Sequence, residues 1–324
     1  MKATAYFTRK VWIFMIVTVT MNPAIDKTVK LNSFIHGGLN RISDITMDAG
    51  GKGINVSKTI KELGGETVCT GFVGGHNGKL LESLLADCDI TTDFVEIDGE
   101  TRINTKIAEA DGTVTELNEA GPLISEEKQA ELLEKLLQYA QKDTWFVLSG
   151  SVPSGMSKNV YYEITEKLHE KGAKVFLDAD GELFANGVKA NPDAMKPNRV
   201  ELEKYVGASG ELDEGSLIRI GQSFQKQGID KVIISLGGEG AFFFGEEEVI
   251  YSPAIPIEVK STVGAGDAVV AAFCYGMEQG YAWKDCIRLS IATSAGAVST
   301  EGTKPPKREV VDELIKKIVL KKRA

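Results

Sequence analysis

An α/β fold is what this 324-residue sequence predicts: a mainly parallel central sheet with helices on its faces, and a small β-sheet lid over it. Three observations lead there. Short β-branched runs alternate with amphipathic stretches, the pattern of a sheet covered by helices. The crossovers between successive runs are long enough for a helix, which parallel pairing requires. Two stretches, Lys27 to Asp48 and Phe94 to Leu117, instead alternate polar and apolar residues with no helix between. At about 150 residues per domain, the length suits one large α/β domain or two ordinary ones.

Taken in chain order, Ile13 to Val19 reads as the first buried strand. Upstream, Lys2, Arg9 and Lys10 precede the apolar run Val11 to Val17 and imitate a short signal peptide. No small-x-small cleavage site follows, and about 18 apolar residues are needed to span a membrane. Residues 1–14 therefore read as an extension, with Met15 a candidate start. Thr20-Met21-Asn22-Pro23-Ala24-Ile25-Asp26 leaves the strand and places a carboxylate at its end. Ala49-Gly50-Gly51-Lys52-Gly53-Ile54-Asn55 opens a helix running through Val56, Ile60 and Leu63. The two alternating stretches read as short antiparallel strands forming the lid. Farther on, Trp145 to Leu148, Lys174 to Leu177 and Lys231 to Ile234 are strand-like. Lys158 to Glu170, Ser216 to Gln227 and Asp267 to Glu278 are helical. The basic close, Lys316 to Arg323, is expected in the last turns of a C-terminal helix, where the helix dipole favours cations.

Composition narrows the function classes. Hydrophobic residues make up 43% and charged residues 26%, and only 9 prolines occur, which excludes a disordered chain. Lys+Arg (37) against Asp+Glu (46) leaves −9, which argues against a nucleic-acid partner held by phosphate neutralisation. An anionic ligand must then be met by local cations. Cys69, Cys88, Cys274 and Cys286 have no C-x-x-C spacing, and His36, His76 and His169 are scattered, so neither a disulfide framework nor a zinc cluster is expected. A reducing cytosol, with no membrane partner, is the expected setting.

The chemistry is concentrated in Ser261-Thr262-Val263-Gly264-Ala265-Gly266-Asp267, followed by a small, apolar helix. Two glycines around an alanine allow a tight turn and expose consecutive N–H groups at a helix N-terminus, which attracts anions. An aspartate in the first turn faces the same spot; taken alone, it serves equally well as a helix cap. The run is not a Walker A loop, which is longer and ends in Gly-Lys-Ser/Thr. Near the N-terminus, the Asp26 carboxylate, the Asn55 amide and the glycine backbone at Gly50 and Gly51 suit the hydroxyls of a sugar, although each segment by itself could be only a loop.

Jointly, these segments resemble the PfkB family of carbohydrate kinases, the ribokinase-like group, from about Ile16 to the C-terminal helix. Leu148 to Pro153, Lys196-Pro197-Asn198-Arg199-Val200-Glu201 and Ser235-Leu236-Gly237-Gly238-Glu239-Gly240 are further family-like pieces. Thr101 to Lys106 and Lys260 to Asp267 are most similar to the family's 1-phosphofructokinases, while tagatose-6-phosphate kinases share most of the pattern. Ala268 departs from it, serine being frequent there. The resemblance implies a ribokinase-like three-layer sandwich with one kinase domain over residues 15–324, the lid segments inserted in its core. It implies transfer of the ATP γ-phosphoryl to fructose 1-phosphate, with Asp267 as base and the amides of Gly264, Ala265 and Gly266 as an anion hole. Asp26, Gly51, Lys52, Asn55, Arg41, Arg102, Asn104, Lys106 and Ser151 would hold the acceptor. Lys196, Asn198, Ser235, Gly237, Gly238, Gly240, Thr262, Gly264 and Gly266 would meet ATP. Asn198 and Glu201 would organise Mg2+, largely through water. A homodimer through the lid sheets is also implied, which would cover their open edges. Tagatose 6-phosphate or fructose 6-phosphate is the rival acceptor, and a non-catalytic sugar-phosphate sensor the rival of another class.

Overall fold

The structure, a computed structural model, describes residues 16–245 and 248–323. The start of the expected first strand and the 1–14 extension lie outside the described residues. Strand β1 (Ile16–Thr20) is β-branched throughout and wholly buried. It is followed by β2 (Ala24–Leu31), β3 (Asp44–Gly50), α1 (Lys52–Glu62), β4 (Thr67–Val73) and α2 (Gly75–Ala86). Next come β5 (Thr91–Thr92), β6 (Val95–Glu96), β7 (Arg102–Glu109), β8 (Val114–Asn118) and α3 (Glu126–Tyr139). The βα rhythm then runs through β9 (Trp145–Ser149), α4 (Val160–His169), β10 (Lys174–Asp178), α5 (Gly181–Gly187), β11 (Ala194–Met195), α6 (Arg199–Val206) and α7 (Glu214–Lys226). It closes with β12 (Lys231–Ser235), β13 (Ala241–Gly245), β14 (Glu248–Ser252), α8 (Ala265–Glu278), α9 (Trp283–Val298), α10 (Arg308–Ile315) and β15 (Lys321–Arg323).

The main sheet runs β15-β14-β13-β12-β11-β10-β9-β1-β4-β5. From β12 to β5 all pairs are parallel, as expected, but β13, β14 and β15 extend it antiparallel. The basic tail therefore ends in an edge strand rather than a helix: α10 stops at Ile315. Arg323 bonds Glu214 at 2.7 Å and lies 4.9 Å over the Tyr251 ring. Strand alternation splits the core into two layers. Val17, Val19, Phe146, Leu148, Val175, Leu177, Val232 and Ile234 pack under α3, α4, α5 and α7. Ile16, Trp145, Val147, Phe176 and Ile233 pack under α1, α8, α9 and α10. The parallel register aligns Thr20, Ser149 and Asp178 at the C-terminal edge, the usual ligand side of such a sheet.

The second sheet, β3-β2-β7-β8, is the expected lid. Its central pair differs from expectation, because β2 and β7 are parallel. Each belongs to its own hairpin, β2 with β3 and β7 with β8, and the α1-β4-α2 crossover returns the chain in the same direction. Phe94 to Thr101 also falls outside the lid, since Val95–Glu96 pairs with β4 of the main sheet. Ile25, Ala49, Ile54, Leu81 and Leu85 form the apolar joint between lid and body. Among the described residues, no helix is long and apolar enough to cross a membrane.

Candidate active site

A cleft of about 1600 Å³ lies between the lid's inner face, the C-terminal ends of the parallel strands and the N-termini of α1 and α8. Typical small-ligand sites occupy about 300–1,000 Å³, so this one has room for two ligands side by side. Of the residues that the family resemblance implies for the site, all but Arg41 line it; Gly50 lies just outside it, beside Gly51. Arg41 is exposed on the loop joining β2 to β3, so its expected place beside the acceptor is not met within a single chain.

The α8 end builds the reactive corner. Gly264 caps the helix with φ 83 and ψ −7, a left-handed turn that glycine adopts without strain, and no side chain caps the helix. The Ala265 amide is directed at the Thr262 carbonyl at 3.4 Å. The next amides, of Gly266 and Asp267, belong to the first turn, where a helix has no internal acceptor for them. The amides left without an acceptor in their own helix are therefore those of Gly266 and Asp267, whereas that of Ala265 is turned to Thr262. Asp267 is 6% exposed, and its Oδ2 accepts a hydrogen bond from Asn55 Nδ2 at 2.8 Å, tying α8 to α1. Burial, reinforced by the negative charge of Asp178, pushes its carboxyl up to about 6, against the opposing pull of Lys52, Asn55 and Lys196.

Asp178, at the end of β10, was not anticipated. It is 1% exposed, and its Oδ1 lies 3.2 Å from Lys196 Nζ and 3.4 Å from Lys52 Nζ. Burial raises its carboxyl, but Lys196 and then Lys52 more than offset this and leave it below the usual aspartate range. Reciprocally, Asp178 raises the Lys52 ammonium. Lys52 is thus held charged, and Lys196 is the second cation on the same carboxylate oxygen. The signal was a carboxylate ending a buried parallel strand; an expected strand that stopped at Leu177 left it out.

On the lid, register brings Asp48, Asp26, Asn104 and Asn118 into one row across the four strands, and Thr28, Lys106 and Glu116 into the next. Asn104 Nδ2 donates to Asp26 Oδ1 at 3.3 Å, and Lys106 Nζ is 3.7 Å from Asp26 Oδ2. Arg102 donates through its two terminal nitrogens to the carbonyls of Glu119 and Asn22, both at 2.9 Å, so it also ties the base of the lid to the body. Ser151, after β9, and Gly51, before α1, complete this end.

At the opposite end, Asn198 and Glu201 form a capping box on α6: each side chain accepts the other's backbone N–H at 2.8 Å. This structural role occupies one oxygen of each. Burial raises the Glu201 carboxyl. Ser235, Gly237, Gly238 and Gly240 follow β12, with Thr262 nearby, and the wall behind them is apolar: Ile255, Ile257, Val259, Ile291 and Val298. None of that wall was expected, because scattered aliphatic residues carry no motif. Among the described residues, no group of three or more His, Cys, Asp or Glu side chains is placed to hold a metal ion.

Buried side-chain atoms without hydrogen-bond partners concentrate along the cleft: Thr20 Oγ1, Asn22 Oδ1, Asn55 Oδ1, Arg102 Nε, Asn104 Oδ1, Ser149 Oγ and Asp178 Oδ2. Unsatisfied groups of this kind are rare in folded interiors and are tolerated where a ligand completes them.

The family model for pfkB family carbohydrate kinases matches residues 15–309. The 1-phosphofructokinase of Bacillus subtilis is 37% identical over 306 residues, covering 94% of this chain and 98% of that protein. The 1-phosphofructokinase of Haemophilus influenzae is 35% identical over 305 residues, covering 94% and 97%. The crystal structure of phosphofructokinase-2 from Escherichia coli in complex with substrates and products superposes with a TM-score of 0.88 at 26% identity, covering 94% of this chain and 99% of that one. A match over this much of the sequence, on the fold and cleft described above, means that the chain is a kinase and belongs to the pfkB family of carbohydrate kinases.

Proposed function

We propose that the protein transfers the γ-phosphoryl group of ATP to fructose 1-phosphate, forming fructose 1,6-bisphosphate and ADP. The observation that carries this reading is the placement of one buried carboxylate, Asp267, at an uncapped helix N-terminus, facing a lid row of sugar-binding type across a cleft with room for both substrates. The acceptor lies across Asp26, Asn104 and Asn55, with its existing phosphate towards Arg102 and Lys106. ATP lies along Gly237 to Gly240, its base against the apolar wall. Relatives named 1-phosphofructokinase support this choice of acceptor.

Asp267 takes the proton of the primary hydroxyl as that oxygen bonds to the γ-phosphorus and the bridging oxygen leaves with ADP. The transition state is loose, so alignment and electrostatics supply most of the catalysis. Lys52, Lys196 and the amides after Gly264 offset the charge that gathers on the transferring group. The donor set fits Mg2+: one oxygen of Glu201 is free of the capping box, and magnesium keeps several waters in kinase sites. Bound with the nucleotide near Asn198 and Glu201, the ion would neutralise phosphate charge. Pairing of two copies through the lid sheets is supported by the open edges of β3 and β8 and by Ile45, Met47 and Leu117, exposed on the face away from the cleft.

Assay of a phosphosugar panel with MgATP should give fructose 1-phosphate as the preferred acceptor; preference for tagatose 6-phosphate or fructose 6-phosphate would move the acceptor assignment and keep the mechanism. Arg102→Ala should raise KM for fructose 1-phosphate by about 10- to 100-fold, the worth of a charge-assisted contact, with a smaller fall in kcat. ATP affinity should stay nearly intact, and turnover of unphosphorylated fructose should scarcely change. Equal impairment with fructose and fructose 1-phosphate would remove the phosphate-clamp role.

The base also predicts a pH profile. Asp267 must be ionised to accept a proton, and its carboxyl sits near 6 in the folded enzyme. kcat/KM should therefore fall with decreasing pH below about 6, losing about tenfold per pH unit on that limb. A limb near the ordinary aspartate range would show that burial does not tune this group.

A further inference from the structure

Lys58 is 9% exposed and, among the described residues, has no carboxylate within ion-pair distance. Side chains on a helix lean towards its N-terminus. Lys58, two turns into α1, accordingly reaches back past Gly51, and its Nζ donates to the carbonyl of Ala49 at 2.6 Å. That carbonyl lies in a segment with three duties. Ala49 and Gly50 end β3 and pair with Ile25 and Ala24, so they join lid to body. Gly50 is the floor beneath Asp26: a side chain there would come within 2.7 Å of both Asp26 oxygens. Gly51, at φ 127, starts the helix that carries Asn55, and its carbonyl accepts the Asn55 amide at 2.9 Å.

A buried ammonium held by one neutral carbonyl is costly, and an apolar chain of the same length would pack as well or better. Burial accordingly lowers the Lys58 ammonium below the usual lysine range. The groups facing it are Asp48 on β3, Asp26 on β2, Cys88 beyond α2 and Cys69 on β4. Asp26 and Asp48 stand directly opposite each other, a like-charge arrangement that destabilises a sheet pair. Lys106 offsets it on the cleft side, and Lys58 is the cation on the body side.

We propose that Lys58 is a positioning residue for the sugar acceptor: its ammonium fixes the Ala49-Gly50-Gly51 joint and thereby the placement of Asp26, without touching the substrate. This rests on the acceptor assignment above. Lys58→Met keeps length and packing while removing charge and donor. It should raise KM for fructose 1-phosphate about tenfold or more, the loss of one charge-assisted hydrogen bond, and leave KM for ATP within about twofold. Lys58→Arg should restore most of the sugar affinity. Hydrogen exchange at residues 44–51 should be faster in Lys58→Met than in the wild type without any ligand. In the wild type, KM for fructose 1-phosphate should rise on the alkaline side at a pH below the ordinary lysine range, and Lys58→Arg should abolish that rise because arginine stays charged.

An unchanged KM for fructose 1-phosphate in Lys58→Met, or a parallel rise in both KM values, overturns the proposal. If Lys58→Met does not fold, persistence of the alkaline rise in Lys58→Arg overturns it instead. Should the wild type phosphorylate no phosphosugar, the acceptor reading fails by itself. Exchange at residues 44–51 then decides the role of Lys58: faster in the variant upholds the tether, and unchanged removes it.

Discussion

Asp267→Asn is expected to lower kcat by about 10²- to 10⁴-fold, the usual cost of removing a general base, while both substrates still bind. The amide has the carboxylate's shape and can still accept from Asn55, so geometry at the α8 start should persist. Stability should move the other way. The Asp267 carboxyl is raised from 3.8 to about 6, so the folded protein holds this proton more tightly than the unfolded chain. Folding is therefore opposed by this group once pH exceeds both values, and the wild type loses stability as pH rises from about 4 to about 6. At pH 7, the neutral asparagine removes a penalty on the order of 2–3 kcal/mol, so the variant should denature at higher urea. Lost turnover with a raised midpoint identifies a base held ionised against its surroundings. Lost turnover with a lowered midpoint would instead mean that Asp267 is chiefly a structural tie between α8 and α1.

How far the sequence could be read depended on whether the signal was local. The short apolar runs expected as strands at Ile13 to Val19, Trp145 to Leu148 and Lys231 to Ile234 are local signals, and buried strands are found there at Ile16–Thr20, Trp145–Ser149 and Lys231–Ser235. Gly264-Ala265-Gly266-Asp267 declares itself because a tight turn, exposed amides and a carboxylate fall in consecutive positions. Direction of pairing is not local. Alternation in β2 and β7 fixes which face each residue takes, and Asp26, Asn104 and Lys106 do share one; nothing in either strand states that the pair is parallel. The tail misled for the opposite reason: Lys316 to Arg323 suits a helix end on charge grounds, yet the open edge of β14 gives the backbone of Lys321–Arg323 a ladder to complete. Arg41 and Arg102 looked alike as cations near lid strands, and the register placed only Arg102 inside the cleft. Asp178 depends on Lys196, beyond the neighbouring strand β11, and on the sequence-distant Lys52, so its importance emerges only when the C-terminal strand ends are laid side by side.

That arrangement makes Asp178→Asn the second large effect. The carboxylate lies between Lys196, itself 5% exposed, and the partly exposed Lys52, and removing it leaves two cations facing each other at the end of β10. Breaking a buried pair by deleting one partner typically costs about 3–5 kcal/mol, so a marked fall in the urea midpoint is expected at pH 7. The Asp178 carboxyl lies below the usual aspartate range, so its contribution is present above that range and disappears as pH falls through the folded value. The gap between wild type and variant should accordingly narrow in acid. Catalysis should change in a way that simple loosening of the fold does not produce. Asp178 is the nearby negative charge that helps raise Asp267, whereas Lys52 and Lys196 pull it down. Without Asp178, the lysines act on Asp267 unopposed, the base weakens, and the acid limb of kcat/KM should move below about 6 while the plateau falls. A fall in plateau with the limb unmoved would confine Asp178 to holding the strand ends together. A displaced limb would establish that the aspartate at the end of β10 sets the proton affinity of the one at the start of α8.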